Sequence, residues 1–353
     1  MSAAFTTGCD LGPRDEAAAY GAPLHLLASY PADGQGSNAS FEADVLCDTP
    51  TPDCPLPTNL AIELRFDRFL LPGSLDGSLA LYSGNPPANG VALRAEYDMI
   101  ERVVVYRPSR RLQPNTLYTA ELVPSTNPAQ GFWAFDRAPL VEGAVPLRFS
   151  FSTGSGPRSE PAPEAPTRDT CDTMTRGPLD SCVTCHATKA DAETSPPSKY
   201  PPMGLDLASS RGLYYTAIGQ VAHQTETGNS AVGGGLRSPA RFGVQMKVID
   251  PGSPATSYLM YKLLRKAENF SGEGEGEGGS CLTGYHPPVS DSGCQPPPDD
   301  ERIRLREWFV LGDPMPKDGT SSSGESIAFA TTRENLVRIS AWIAAGATCP
   351  EPD

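Results

Sequence analysis

Ala61-Ile62-Glu63-Leu64-Arg65-Phe66 places apolar side chains at every second position, the period of a strand with one buried face and one wet face. Upstream, Leu24-His25-Leu26-Leu27-Ala28-Ser29-Tyr30 reads as a strand running into the turn Pro31-Ala32-Asp33-Gly34. Downstream, similar short runs occupy Val91–Tyr97, Arg102–Tyr106, Leu117–Val123 and Pro146–Ser152. Pro72-Gly73, Asn85-Pro86-Pro87 and Gln113-Pro114-Asn115 punctuate them. Six or seven short strands at this spacing predict a β-sandwich over residues 21–154.

The rest of the composition agrees. With 34 Gly and 37 Pro the chain is too rich in turn formers for a helical bundle throughout. A length of 353 residues corresponds to two or three domains at about 150 residues each. A hydrophobic share of 39% supplies cores, and 20% charged residues is too little for a wholly disordered chain. The net charge of −14 excludes a protein that tracks a nucleic-acid backbone. No apolar run reaches the roughly 18–20 residues of a membrane-spanning helix.

Four stretches of the first half resemble the bacterial Ig-like domain of surface-layer proteins. They are Tyr30-Pro31-Ala32-Asp33-Gly34, Ile62-Glu63-Leu64-Arg65-Phe66-Asp67, Leu112-Gln113-Pro114-Asn115-Thr116-Leu117-Tyr118 and Phe149-Ser150-Phe151-Ser152-Thr153-Gly154. The resemblance implies an Ig-like sandwich acting as a spacer or adhesion module, and it supplies a fold with little chemistry. Residues 155–170 are dense in Pro and read as a semi-extended linker. The alternating Gly and Glu of Gly272–Gly279 read as a solvated loop.

The nine cysteines divide by use. Cys182-Val183-Thr184-Cys185-His186 has the spacing of covalent c-type haem attachment. Cys9, closing Phe5-Thr6-Thr7-Gly8-Cys9, looks like the lipidated residue of a lipoprotein signal, with residues 1–20 as leader remnant and tether. Only Met1-Ser2-Ala3-Ala4 precede that stretch, so either the leader is truncated or Cys9 is ordinary. Six cysteines remain, enough for three disulfides: Cys47 with Cys54, Cys281 with Cys294, and Cys171 with Cys349. Six allow fifteen pairings, and the alternative is that several stay reduced in buried positions.

On a helical turn, positions i, i+3 and i+4 share a face, so Cys182, Cys185 and His186 would surround one edge of a haem. The competing readings are a redox dithiol, half of a zinc site, or a disulfide turn with an incidental His. A zinc ribbon needs a second closely spaced Cys pair, and a thioredoxin-like dithiol needs a βαβ setting; neither is present in the sequence. The sixth iron ligand is best supplied by Met315, held between Pro314 and Pro316, with Met203, His223 and His286 as alternatives. Thr331–Gly346 predicts a helix with Thr331 and Glu334 as capping box, Gly346 as stop, and Leu336, Ile339, Ile343 and Trp342 facing inward. A second helix is expected from Ser253-Pro254, carrying Tyr258, Leu259, Lys262 and Leu263.

These motifs, with Gly204-Leu205-Asp206-Leu207, Pro251–Leu259, Met315-Pro316 and Ile339–Ala347, resemble the c-type cytochrome domains of exported planctomycete and myxobacterial proteins. The resemblance covers about residues 171–349 and implies a mainly α, loop-rich cytochrome domain over 171–353. It also implies haem c as cofactor, His186 as proximal ligand and Met315 as distal ligand. The segment from about Gly272 to Asp300, carrying Cys281 and Cys294, departs from a minimal domain of this kind. The expected function is one-electron transfer at the bacterial cell envelope with redox protein partners, no nucleic acid, and membrane contact only through a lipid anchor. The alternatives are a peroxidase-like haem enzyme with His223 on an open distal side, and a surface-binding protein whose haem is structural or absent.

Overall fold

The structure, a computed structural model, describes residues 21–38, 52–84, 89–123, 131–158, 169–183, 186–187, 204–222, 246–264, 301, 303–305, 310, 319–320, 326–327 and 332–349. It is mixed, with β-sheets in the N-terminal half and short helices in the C-terminal half. The strands of the N-terminal half are β1 (Leu24–Tyr30), β2 (Ile62–Phe66), β3 (Leu79–Ser83), β4 (Leu93–Asp98), β5 (Val103–Pro108), β6 (Leu117–Leu122), β7 (Leu140–Val141) and β8 (Arg148–Ser152). One sheet runs β4-β5-β2-β1-β7 and the other β3-β6-β8. All of these pairs are antiparallel except β1 with β7. A short antiparallel pair, β9 (Gly319–Thr320) and β10 (Ser326–Ile327), lies in the C-terminal half.

The alternation that opened the reading is realised on one face of β2. Ile62, Leu64 and Phe66 are fully buried. The other face is not wet as expected, because Arg65 is buried too and pairs with Glu101 at 3.1 Å. Phe66 packs on Phe132 with ring centroids 5.0 Å apart, Tyr106 meets Phe132 edge-on, and Tyr118 stacks on Phe151. These rings belong to a core shared by the two sheets.

Two of the quoted motifs join the sheets. After β1 the chain crosses to β8, with Gly34 N–H donating to the Ser150 carbonyl at 2.7 Å and Ser152 N–H to the Gln35 carbonyl at 2.9 Å. The Asp33 carboxylate accepts from Ser150 N–H. Gly36 holds φ at +75°, and a Cβ there would stand 2.3 Å from the Ser152 carbonyl oxygen, so only glycine permits this crossing. At the other end, Gln113 N–H donates to the Tyr118 hydroxyl at 2.9 Å, while Thr153 Oγ1 accepts from Thr116 N–H and donates to the Gln113 carbonyl. The Leu112–Tyr118 and Phe149–Gly154 motifs are therefore two sides of one hydrogen-bonded corner. Residues 155–158 stay on this β unit, where Arg158 and Asn59 exchange two hydrogen bonds.

The C-terminal half contains α1 (Cys171–Thr175), α2 (Asp180–Val183), α3 (Ser210–Thr216), α4 (Tyr258–Leu264) and α5 (Arg333–Ala344). The expected terminal helix is α5, and Leu336, Ile339, Trp342 and Ile343 are all fully buried. Its cap differs from the expected Thr331, since the Thr332 hydroxyl accepts from Asn335 N–H. Gly346 follows the helix with φ +98°, the left-handed stop that a glycine provides. The segment at Ser253-Pro254 starts as a single 3-10 turn, Pro254–Thr256, and becomes α4 only at Tyr258. Ser257 causes the break, because its hydroxyl is held by the Ser253 carbonyl and by Asp250 N–H. No helix among the described residues is long and apolar enough to cross a membrane.

Candidate functional site

The site begins at a capped and stapled helix. Thr170 and Thr173 form a reciprocal capping box at the start of α1. Cys171, the first residue of α1, is bonded to Cys349, three residues beyond Gly346, with the Cα atoms 5.0 Å apart. Asp169 takes a bidentate pair from Arg338 of α5 at 2.6 and 2.8 Å, so the same two elements are also tied by charge. The Arg338 hydrogen bonds hold the Asp169 carboxyl below its ordinary value.

From α1 the chain turns into α2. Cys182 N–H donates to the Leu179 carbonyl at 2.9 Å, and His186 N–H donates to the Cys182 carbonyl at 2.8 Å. The second bond is the i to i+4 step of a helix, so Cys182 and His186 lie one turn apart on the same face. Leu207 N–H in turn donates to the His186 carbonyl at 2.7 Å, which brings the Gly204–Leu207 motif onto the turn. Cys182 is buried and His186 is 9% exposed, with its Nδ1 atom shielded from solvent. Met174, Leu179, Leu207 and Leu213 are buried in the same apolar core.

Trp342 contributes a feature that helical periodicity does not reveal. Its side chain is fully buried on α5, and its indole N–H finds no hydrogen-bond acceptor among the described residues. A buried donor of this kind takes its acceptor from a bound group, an ordered water or a part of the chain outside the described residues. Among the described residues, no three His, Cys, Asp or Glu side chains are grouped to hold a metal ion.

Of the residues singled out in the sequence, the structure brings together Cys182 and His186, and separately Cys171 and Cys349. Cys54 is also disulfide-bonded. Cys185, Met315, Met203, His223, His286, Cys9, Cys47, Cys281 and Cys294 lie outside the described residues.

No family model and no curated protein matches the chain. Among solved structures, the chain is similar to the N-terminal part of the bacterial S-layer protein SbsC at 7% identity and a TM-score of 0.23, over 39% of this chain and 24% of that one. Domains 1–6 of SbsC give 7% identity and a TM-score of 0.24, over 41% of this chain and 15% of that one. CopC from Methylosinus trichosporium OB3b gives 11% identity and a TM-score of 0.22, over 39% of this chain and 99% of that one. The chain thus spans a quarter or less of the S-layer chains it matches, and likeness at these scores carries no argument about what it does.

Proposed function

We propose that the chain is an exported one-electron carrier of the bacterial cell envelope, pairing an Ig-like sandwich with a c-type cytochrome domain. The observation that carries this reading is the helical turn from Cys182 to His186, with both side chains buried. When bound, a c-type haem supplies reversible one-electron exchange at its iron. Cys182 and Cys185 would hold it through thioether bonds, and His186 would ligate the metal from the same helical face. Met315, between two prolines, is the proposed sixth ligand.

The residues fit such a group in two respects. A thiol and an imidazole sit one turn apart in an apolar, water-excluding setting. A buried indole N–H in the same half also lacks an acceptor among the described residues. Export is supported by the Cys171–Cys349 bridge and the second bridge at Cys54, since disulfides persist in oxidising compartments. The net charge of −14 favours basic redox partners, and Cys9 would supply the lipid anchor.

The test is the protein matured outside the cytoplasm by a haem-attachment system. The expected product is coloured, carries the mass of one haem, and shows sharp c-type bands when reduced. A bare polypeptide mass overturns the reading and leaves a surface-binding role. Met315→Ala is expected to abolish the weak thioether charge-transfer band, and persistence of that band removes Met315 from the ligand set. Ready binding of carbon monoxide or cyanide by the untreated protein would instead favour a haem enzyme.

A further inference from the structure

Four arginines gather at one end of the β unit. β5 runs away from the C-terminal half: it starts just after Glu101, which meets Arg333, and ends at Pro108. At that far end Arg107 of β5 stands directly across from Arg94 of β4, with side chains 59% and 79% exposed. Glu96 is the one carboxylate paired with them among the described residues, at 3.2 Å from Arg94 and 3.3 Å from Arg107. Arg110 and Arg111 follow, both exposed and with no ion pair to a described residue. Ser109 N–H donates to the Ala92 carbonyl at 2.9 Å and Leu112 N–H to the Thr58 carbonyl at 2.8 Å, which pins the Arg110-Arg111 pair on both sides. Leu112 opens the corner closed by Tyr118 and Thr153. Leu117, in that corner, is 58% exposed, more than any other large apolar side chain among the described residues.

Like charges set directly across a strand pair cost stability, and one carboxylate shared by Arg94 and Arg107 neutralises only half of their charge. With Arg110 and Arg111 the corner holds four guanidinium groups against one carboxylate, in a chain where 42 acids outnumber 28 bases. A guanidinium offers phosphate oxygens a planar fork of donors. At physiological salt charges more than about 8 Å away are screened, so a surface touching this corner meets arginine rather than the acidic remainder. The acid excess is repelled outward and turns this end of the molecule toward the surface. A purely ionic partner would use the arginines alone, whereas an exposed Leu at the same end suits headgroups overlying hydrocarbon.

We propose that Arg94, Arg107, Arg110 and Arg111, with Leu117 beside them, form a docking face for anionic lipid headgroups, on which the β unit stands end-on against a membrane. The C-terminal half is then held on the side away from the bilayer. The polypeptide alone builds this face, so it is separable from the haem reading and from any lipid on Cys9.

The test is vesicle co-sedimentation of the full chain carrying Cys9→Ser, so that no acyl chain contributes. Partition is expected onto phosphatidylcholine vesicles that also contain phosphatidylglycerol, falling as salt rises, and not onto phosphatidylcholine alone. Replacing Arg110 and Arg111 together by Ser is expected to lower it at least about tenfold. Glu96→Gln, which releases both paired arginines, is expected to raise it. Arg148 stands at the other end of β8 from Ser152, the partner of Leu117, and Arg148→Ser is expected to change partition less than about twofold. Equal binding to both vesicles, binding to neither, or a loss in Arg148→Ser as large as in the double variant overturns the docking face. So does salt-sensitive self-association without vesicles that the double variant abolishes, which would assign the corner to a second copy of the chain.

Discussion

Arg68 and Arg107 both pair with carboxylates, yet only one of these pairs governs stability. Arg68 meets Asp136 and Glu301 within 2.9 Å with its side chain 5% exposed. Arg107 meets Glu96 at 3.3 Å with its side chain 59% exposed, where water screens the attraction. Burial alone lowers the Arg68 guanidinium, and the two carboxylates beside it more than restore its hold on its proton. Arg68→Ala would leave Glu301 buried without the cation that it pairs with and Asp136 with Arg304 at 3.4 Å, a loss of about 3–5 kcal/mol by precedent for broken buried pairs. The lower end is expected, because Glu301 can take up a proton in response. Arg107→Ala is expected to cost less than about 1 kcal/mol. Urea unfolding at pH 7 measures both, and equal losses would show that the Arg68 cluster is reached by water.

Local pattern made some elements visible in the sequence and hid others. β2 was legible because its apolar period belongs to the strand itself, and α5 because Leu336, Ile339 and Ile343 repeat at helical spacing. β3 was not read, although Leu79 and Leu81 alternate, because Ala80 and the flanking Ser and Gly dilute the contrast. β7 is two residues long and carries no period at all. The Cys182–His186 turn was legible because its spacing lies within five residues, whereas Glu301 and Arg68 stand 233 positions apart and only the fold brings them together. The Cys171–Cys349 bridge spans 178 positions, so opening it frees a long loop in the unfolded chain. Replacing both cysteines by Ser is expected to cost about 2–5 kcal/mol in urea unfolding. The neighbouring Asp169–Arg338 pair is partly exposed, and Asp169→Asn is expected to cost under about 1 kcal/mol. A disulfide loss no larger than that of the ion pair would mean that α1 and α5 are held by packing alone.

At the scale of the whole molecule, the question is whether the β unit is a spacer or a structural wall of the C-terminal half. A spacer would meet its neighbour through a small, polar and easily parted surface. Here the apolar core runs continuously from Phe66 and Phe132 through Phe69 and Tyr261 to Leu336 and Trp342. The Pro254–Thr256 turn packs against β4. Two charge clusters cross the boundary: Glu301 with Arg68, and Arg333 at the start of α5 with Glu101, which also holds Arg65. Neither half can leave without exposing that core and stranding buried charge, which makes separate unfolding costly on both counts. The full chain is therefore expected to unfold in a single transition with its disulfides intact. Trp133 lies in the β unit and Trp342 in α5, so two variants in which the third tryptophan, Trp308, is replaced and only one of these two indoles is kept report the two halves independently. Coincident urea midpoints are expected from the two reporters. A β unit that stays folded after the Trp342 signal is lost would establish it as a separate module, and the continuous core would then be a contact surface that stability does not depend on.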